Sequence, residues 1–227
     1  MKTAMIVGGS RGLGRGIAQA FSDDGAKVIT VARNGATESA DATDPAVAQR
    51  LLDRHRPGVL VIAAGAVPPM APLHEYTWDE FSVPWQQDVR IAFTWLGAVL
   101  RRPLAPGSAV VVLASAASLR GSPLSGGYAG AKATVRLITG YARGQAHGTG
   151  VTFTAILPGL APETAVGATA VHSYAGQQGI SEADFAARLP APLTPQVAGA
   201  SVVHLLARPA DQVAEAYLLD GAGLHEL

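Results

Sequence analysis

The chain predicts an α/β fold, a doubly wound and mostly parallel sheet with helices on both faces, on three observations. Apolar strand-like runs alternate with helical stretches from one end to the other, the connections between most runs are long enough for helical crossovers, and the first run ends in glycines that open a helix. The strand runs are Thr3–Val7, Lys27–Ala32, Val59–Ala63, Ser108–Ala114, Val151–Leu157 and Ala216–Leu219, with a weaker one at Thr37–Ala40. Most are rich in β-branched residues and bounded by Gly, Pro or Asp. Helical spacing runs through Leu13–Asp24, Pro45–Arg54, Asp79–Leu104, Tyr128–His147 and Gln196–Ala207, the last introduced by Thr194-Pro195 as cap and first turn. Only ten residues separate the second strand from Thr43, too few for a crossover helix and a long strand, so that corner is expected to be trimmed. The stretch 160–193 is rich in Ala, Gly and Pro and reads as a long loop with one short helix near Glu182–Leu189, expected to serve as a substrate lid.

At 227 residues, with 48% hydrophobic and 15% charged residues, the chain suits one continuous core spanning 1–227 and is far from a disordered composition. Seventeen basic side chains balance seventeen acidic ones, so no global field is available for nucleic acid or an anionic membrane, and any anion site must be local. The absence of cysteine removes disulfides, thiolate nucleophiles and cysteine-based metal sites. The N-terminal segment turns glycine-rich too soon for a secretory leader and no 18-residue apolar run follows, so the expected location is cytoplasmic. Six histidines are scattered without metal spacing, and no metal is expected; only His172, in the 160–193 stretch, is a candidate substrate contact.

The segment Ala4 to Gly14 runs from a strand through Gly8, Ser10, Arg11, Gly12 and Leu13 into a helix, which is where a dinucleotide-binding Rossmann domain places a pyrophosphate on backbone N–H groups. Gly8, Gly12 and Gly14 have Gly-x-x-x-Gly-x-Gly spacing, which lets the backbone approach a ligand without an intervening Cβ. An NAD site wants a carboxylate at the end of the second strand to take both ribose hydroxyls. Here that place reads Val31-Ala32-Arg33-Asn34, and Arg33 with Arg11 offers charge-assisted contacts to a 2′-phosphate, so NADP(H) is the expected cofactor.

Tyr128 and Lys132 stand four residues apart on one helical face. A phenol near pKa 10 is a poor acid or base at neutral pH unless a cation stabilises its phenolate, so the pairing suits general acid–base catalysis. The apolar run Val110–Ala114 delivers Ser115 to the carboxyl end of a strand, where open α/β sheets bind ligands, and a serine there can donate to a substrate carbonyl. Ser118 is the competing hydroxyl.

These residues, together with Asp41-Ala42-Thr43-Asp44, Ala63-Ala64-Gly65, Pro158-Gly159 and Asp220-Gly221, resemble the short-chain dehydrogenase/reductase family over nearly the whole chain. The resemblance implies hydride transfer between NADPH and a carbonyl or alcohol carbon, with Tyr128 as acid–base, Lys132 as its cation and ribose anchor, and Ser115 as carbonyl donor. It also implies that Asp41 and Ala42 approach the adenine, that Ala64 and Gly65 run along the ribose, and that Ile156, Pro158, Gly159 and Thr164 lie against the nicotinamide. A homodimer or homotetramer is implied through the helices at 79–104 and after Tyr128, where Trp78, Trp85 and Trp95 read as core or subunit-contact residues. Two departures stand out. Ile62-Ala63-Ala64-Gly65 occupies the place of the family's Asn-Asn-Ala-Gly, and Asp88 that of a helix asparagine which holds a water contacting the lysine; Asp88 either preserves that relay or changes the local proton balance. The rival readings are reduction of a C=N or activated C=C bond, a non-redox biosynthetic step, and a cofactor-binding protein without turnover.

Overall fold

The structure is a computed structural model and describes residues 2–227. Eight strands form one sheet: β1 (Thr3–Val7), β2 (Lys27–Ala32), β3 (Glu38–Ser39), β4 (Val59–Ile62), β5 (Ala109–Leu113), β6 (Thr152–Pro158), β7 (Ala216–Asp220) and β8 (Gly223–Glu226). Their spatial order is β3-β2-β1-β4-β5-β6-β7-β8, parallel throughout except for the terminal β7–β8 hairpin. The order reverses between β1 and β4, the switch point at which such sheets open a crevice. Strands β1, β4, β5 and β6 are almost wholly buried, as their unbroken Val, Ile, Leu and Ala runs require of strands covered on both faces.

Helices cover both sides. On one face α2 (Pro45–His55), α4 (Arg90–Arg101) and α6 (Tyr128–Gln145) enclose a core that includes Leu51, Trp95, Leu60 and Phe153. On the other, α1 (Gly12–Asp23) and α9 (Pro195–Leu206) enclose Ile17, Phe21, Val202, Leu205 and Tyr217. The chain is thus one α/β domain of the Rossmann type. No helix among the described residues is long and apolar enough to cross a membrane.

Five segments differ in detail from the sequence expectation. The corner after β2 is trimmed as expected, yet β3 still pairs in parallel with β2 through only two residue pairs and without a crossover helix. Gly35 at φ +65° turns the chain, and the Thr37 N–H donates 2.9 Å to the Thr30 hydroxyl across the bend. The helix expected over 79–104 is three segments: α3 (Trp78–Pro84), a π-helical turn (Trp85–Val89) and α4. Pro84 lacks an N–H and crowds the preceding turn, and the backbone widens directly after it. Most of the expected loop at 160–193 is helix: α7 (Ala165–Gln178), capped by the Thr164 hydroxyl and closed at Gly179 (φ +65°), precedes α8 (Glu182–Ala187). The β8 strand, and the short α5 (Ala117–Arg120), were not expected.

Candidate active site

The carboxyl ends of β1, β2, β4, β5 and β6 open onto one cavity of about 760 Å³, within the range of small-molecule sites. At one end lies the β1–α1 loop, with Gly8, Ser10, Arg11, Gly12, Leu13 and Gly14 on the cavity wall. Helix α1 begins at Arg11 without a side-chain cap, so its first-turn N–H groups remain available to an anion. The loop is compact: a Cβ on Gly14 would overlap the Gly8 carbonyl oxygen, and Gly12 holds a left-handed φ of +53° on the side facing Thr164. A loop of this form could cradle a pyrophosphate.

Arg33, Asn34, Asp41 and Ala42 line the part of the cavity that could hold an adenosine. Asp41 accepts 2.9 Å hydrogen bonds from the N–H and hydroxyl of Thr43, which hold its carboxyl below the ordinary value, with Arg33 and Arg90 acting in the same direction. No carboxylate stands at the end of β2. Glu38, on adjacent β3, lies outside the cavity and is engaged by His55 at 2.7 Å and Arg54 at 3.2 Å. Ala42 is fixed from behind, its carbonyl accepting a 2.9 Å hydrogen bond from Nε1 of fully buried Trp95.

Ala64 and Gly65 line the middle of the cavity, followed by Ser115, Tyr128, Lys132, Pro158, Gly159 and Thr164. The structure brings Ser115 into the cavity and turns Ser118 back, its hydroxyl donating to the Ser115 carbonyl at 2.6 Å. Tyr128 opens α6, and Lys132 one turn on is buried, with Nζ 5.7 Å from the centroid of the tyrosine ring. That ammonium donates to the Leu113 carbonyl at 3.2 Å and pairs with Asp88 Oδ2 at 2.9 Å. The other Asp88 oxygen accepts the Ala66 N–H at 2.8 Å. Burial works against the charge of Lys132, but Asp88 and then Tyr128 outweigh it and hold the ammonium above the ordinary lysine value. Thr164 reaches the site from the start of α7, its Cγ2 packed 3.5 Å from where a Gly12 side chain would begin.

Two expectations for particular residues are corrected, those for Ile156 and His172. Ile156 is fully buried and does not line the cavity, because its side chain packs into the core under α1 and α9. Ile62, the first residue of the departure from the family pattern, ends β4 as a core residue. His172 faces out from α7, 78% exposed at its side chain and 2.8 Å from Glu182, away from the cavity. Asp220-Gly221 lies off the cavity, where the Gly221 N–H donates to the Ala191 carbonyl. Trp95 is core, whereas Trp78 is exposed and stacks on Phe81.

Sequence reasoning missed the far wall. Met70, Ser122 and Tyr174 line it, with the Tyr174 hydroxyl 2.7 Å from that of Ser122 and also accepting the Leu124 N–H at 3.4 Å. Tyr174 sits on α7, and a helix there was the missing signal.

The fold and this cavity are those of a doubly wound sheet with room for a dinucleotide at its switch point. Residues 38–221 match a family model described as enoyl-(acyl carrier protein) reductase. The chain is 31% identical over 179 residues to a sorbitol dehydrogenase of Cereibacter sphaeroides, and 30% identical over 181 residues to a galactitol 2-dehydrogenase of Agrobacterium fabrum, covering 70% of each chain in both cases. The chain therefore belongs to the short-chain dehydrogenase/reductase family of nicotinamide-dependent oxidoreductases. Among solved structures, levodione reductase superposes with a TM-score of 0.84 at 24% identity, covering 97% of this chain and 96% of that one. A variant of actinorhodin polyketide ketoreductase with NADPH does so at 0.81 and 22% identity, with the same coverage, and a likeness at such identities speaks to the fold.

Proposed function

We propose that the protein is an NADPH-dependent carbonyl reductase or alcohol dehydrogenase, interconverting a ketone and a secondary alcohol. The observation that carries the reading is that Ser115, Tyr128 and Lys132 share one cavity with a glycine loop and an uncapped helix start. The bound nicotinamide supplies or accepts the hydride. In the direction of reduction, Tyr128 gives its phenolic proton to the carbonyl oxygen while the Ser115 hydroxyl donates a hydrogen bond to the same atom. Lys132 has three N–H bonds, and with one on Leu113 and one toward Asp88 the third is left for a ribose hydroxyl.

Preference for NADP(H) is supported by Arg11 and Arg33 on the cavity wall, by the lack of a carboxylate at the end of β2 and by the engagement of Glu38 elsewhere. The relatives named sorbitol and galactitol dehydrogenase support an alcohol or ketone substrate. Segment 160–193, with α7 and α8, serves as the lid, and Tyr174 is its contribution to the substrate wall. Exposed Phe93, Leu137 and Tyr141 on α4 and α6 support a homodimer or homotetramer through those helices. A second reading, reduction of an activated C=C bond, is favoured by the description of the matched family model, and product identification separates the two.

The test is a fluorescence titration of the purified protein with NADPH and NADH, repeated with Arg33→Asp. One charge-assisted contact to the 2′-phosphate is worth about 1.5–3 kcal/mol, so NADPH should bind about 10–150 times more tightly than NADH, and the substitution should cancel or invert that preference. Failure of the protein to bind either nucleotide overturns the proposal.

A further inference from the structure

We propose that Asp88 is the charge partner of Lys132, and that the buried pair keeps Tyr128 a proton donor to higher pH than an unpaired lysine would, favouring carbonyl reduction. The inference rests on Tyr128 being the acid–base group.

The geometry is specific. The side chains of Lys132 and Asp88 are 8% and 1% exposed, and Asp88 Oδ2 accepts no aligned hydrogen bond, leaving the ammonium 2.9 Å away as its compensation. Oδ1 is fixed by the Ala66 N–H, and Gly65 makes the room: a Cβ there would come within 2.7 Å of Oδ2. The π-helical turn carries Asp88 into this position, a backbone form often found at functional sites.

The consequence follows from charge. An uncompensated ammonium within about 4–6 Å shifts a neighbouring acid by about 1–3 pH units, by favouring its ionised form. A carboxylate behind that ammonium turns a net charge into a dipole, whose field at the phenol is weaker. The other elements around the pair supply no competing ionic contact: β5 offers the Leu113 carbonyl, the end of β6 offers Pro158 and Gly159, and Gln87, Ser115 and Ser125 are neutral. The remaining charged residues of the cavity wall are Arg11 on the glycine loop, Arg33 and Asp41 at the adenosine end, and Glu163 before α7, and none of them forms an ion pair with Lys132 or Asp88 among the described residues. In reduction the phenolic O–H bond breaks as the alcohol O–H bond forms, a step that needs the protonated phenol; oxidation needs the phenolate and is pushed to more alkaline conditions.

The experiment titrates the cofactor-free protein by tyrosinate absorbance, taking the step that disappears in Tyr128→Phe, in wild type, Asp88→Asn, Lys132→Met and the double variant. Relative to wild type, Asp88→Asn should lower the midpoint by about 1 unit or more, and Lys132→Met should raise it. The double variant should return to within about half a unit of wild type, and it keeps the test open should Asp88→Asn fail to fold. The alkaline limb of the pH profile for ketone reduction should move down with the Asp88→Asn midpoint. Identical midpoints across the variants overturn the inference, even if turnover falls, because a merely structural role does not move a titration. Full turnover in Tyr128→Phe instead sinks the acid–base reading beneath it, and the two failures are told apart.

Discussion

Replacing Trp95 with phenylalanine should destabilise the protein by about 2–4 kcal/mol, although Trp95 touches no substrate. Its indole is fully buried, and its N–H is the 2.9 Å donor to the Ala42 carbonyl in the segment that stands where a crossover helix is missing. Phenylalanine leaves that carbonyl unpaired in a site where Ala42 is only 8% exposed, at a cost of about 1–3 kcal/mol. The smaller ring also leaves a void of a few tens of Å³, adding about 1 kcal/mol at about 24 cal/mol per Å³. For a domain of this size each kcal/mol moves Tm by about 2–4 °C, so thermal unfolding should drop by about 5–15 °C. Urea unfolding should show a lower midpoint at unchanged slope, since the surface exposed on unfolding hardly changes. Because Ala42 walls the adenosine end, NADPH should bind more weakly as well, and NADPH at 100 times its Kd should restore about 2.7 kcal/mol. A loss below about 0.5 kcal/mol would refute the reasoning, since the Ala42 carbonyl would then have no need of the indole.

Two further outcomes are expected. Gly14→Ala drives a methyl group into the Gly8 carbonyl oxygen and should cost about 1–3 kcal/mol through overpacking, with NADPH affinity reduced at least about tenfold; titration and a thermal melt check both effects. Glu38→Gln should lower Tm at neutral pH. The hydrogen bond from His55, then the charge of Arg54, hold the Glu38 carboxyl below its ordinary 4.5, so its contribution is complete above that value and is lost as pH falls through the lower folded value. The gap in Tm between wild type and variant should therefore close in acid, and a gap that widens there contradicts the assignment.

Much of the architecture was legible because the central strands are near-continuous apolar runs and the long helices keep one apolar face. That the glycine loop, Arg33, Ser115, Tyr128 and Lys132 meet at one cavity was legible because each stands at a particular offset from a strand or helix end. Helix α7 was not, since Ala165–Gln178 alternates small and polar residues that give no apolar stripe; its evidence was the Thr164 cap and the Gly179 stop. Tyr174 was lost with it. The direct pairing of Asp88 with Lys132 depends on a contact 44 positions apart in the chain and on a helix that changes its winding, neither of which local spacing encodes. Ile156 was misplaced by one side of the sheet, since neighbouring residues of a strand face opposite ways.

The widened turn at Trp85–Val89 also settles a matter of phase. Each residue advances an α-helix by about 100°, so a π turn inserted between α3 and α4 offsets the faces of the two helices by about that angle. Asp88 is thereby aimed at the lysine while, seven residues on, Trp95 is aimed at the Ala42 carbonyl. Seven residues make close to two turns, so Asp88 and Trp95 keep nearly one face, and a deletion that restored regular winding would turn that face by about 100° against α3. The irregular turn is a gearing between α3 and the functional face that follows it, and a one-residue deletion there should be tolerated less well than one in the exposed α8.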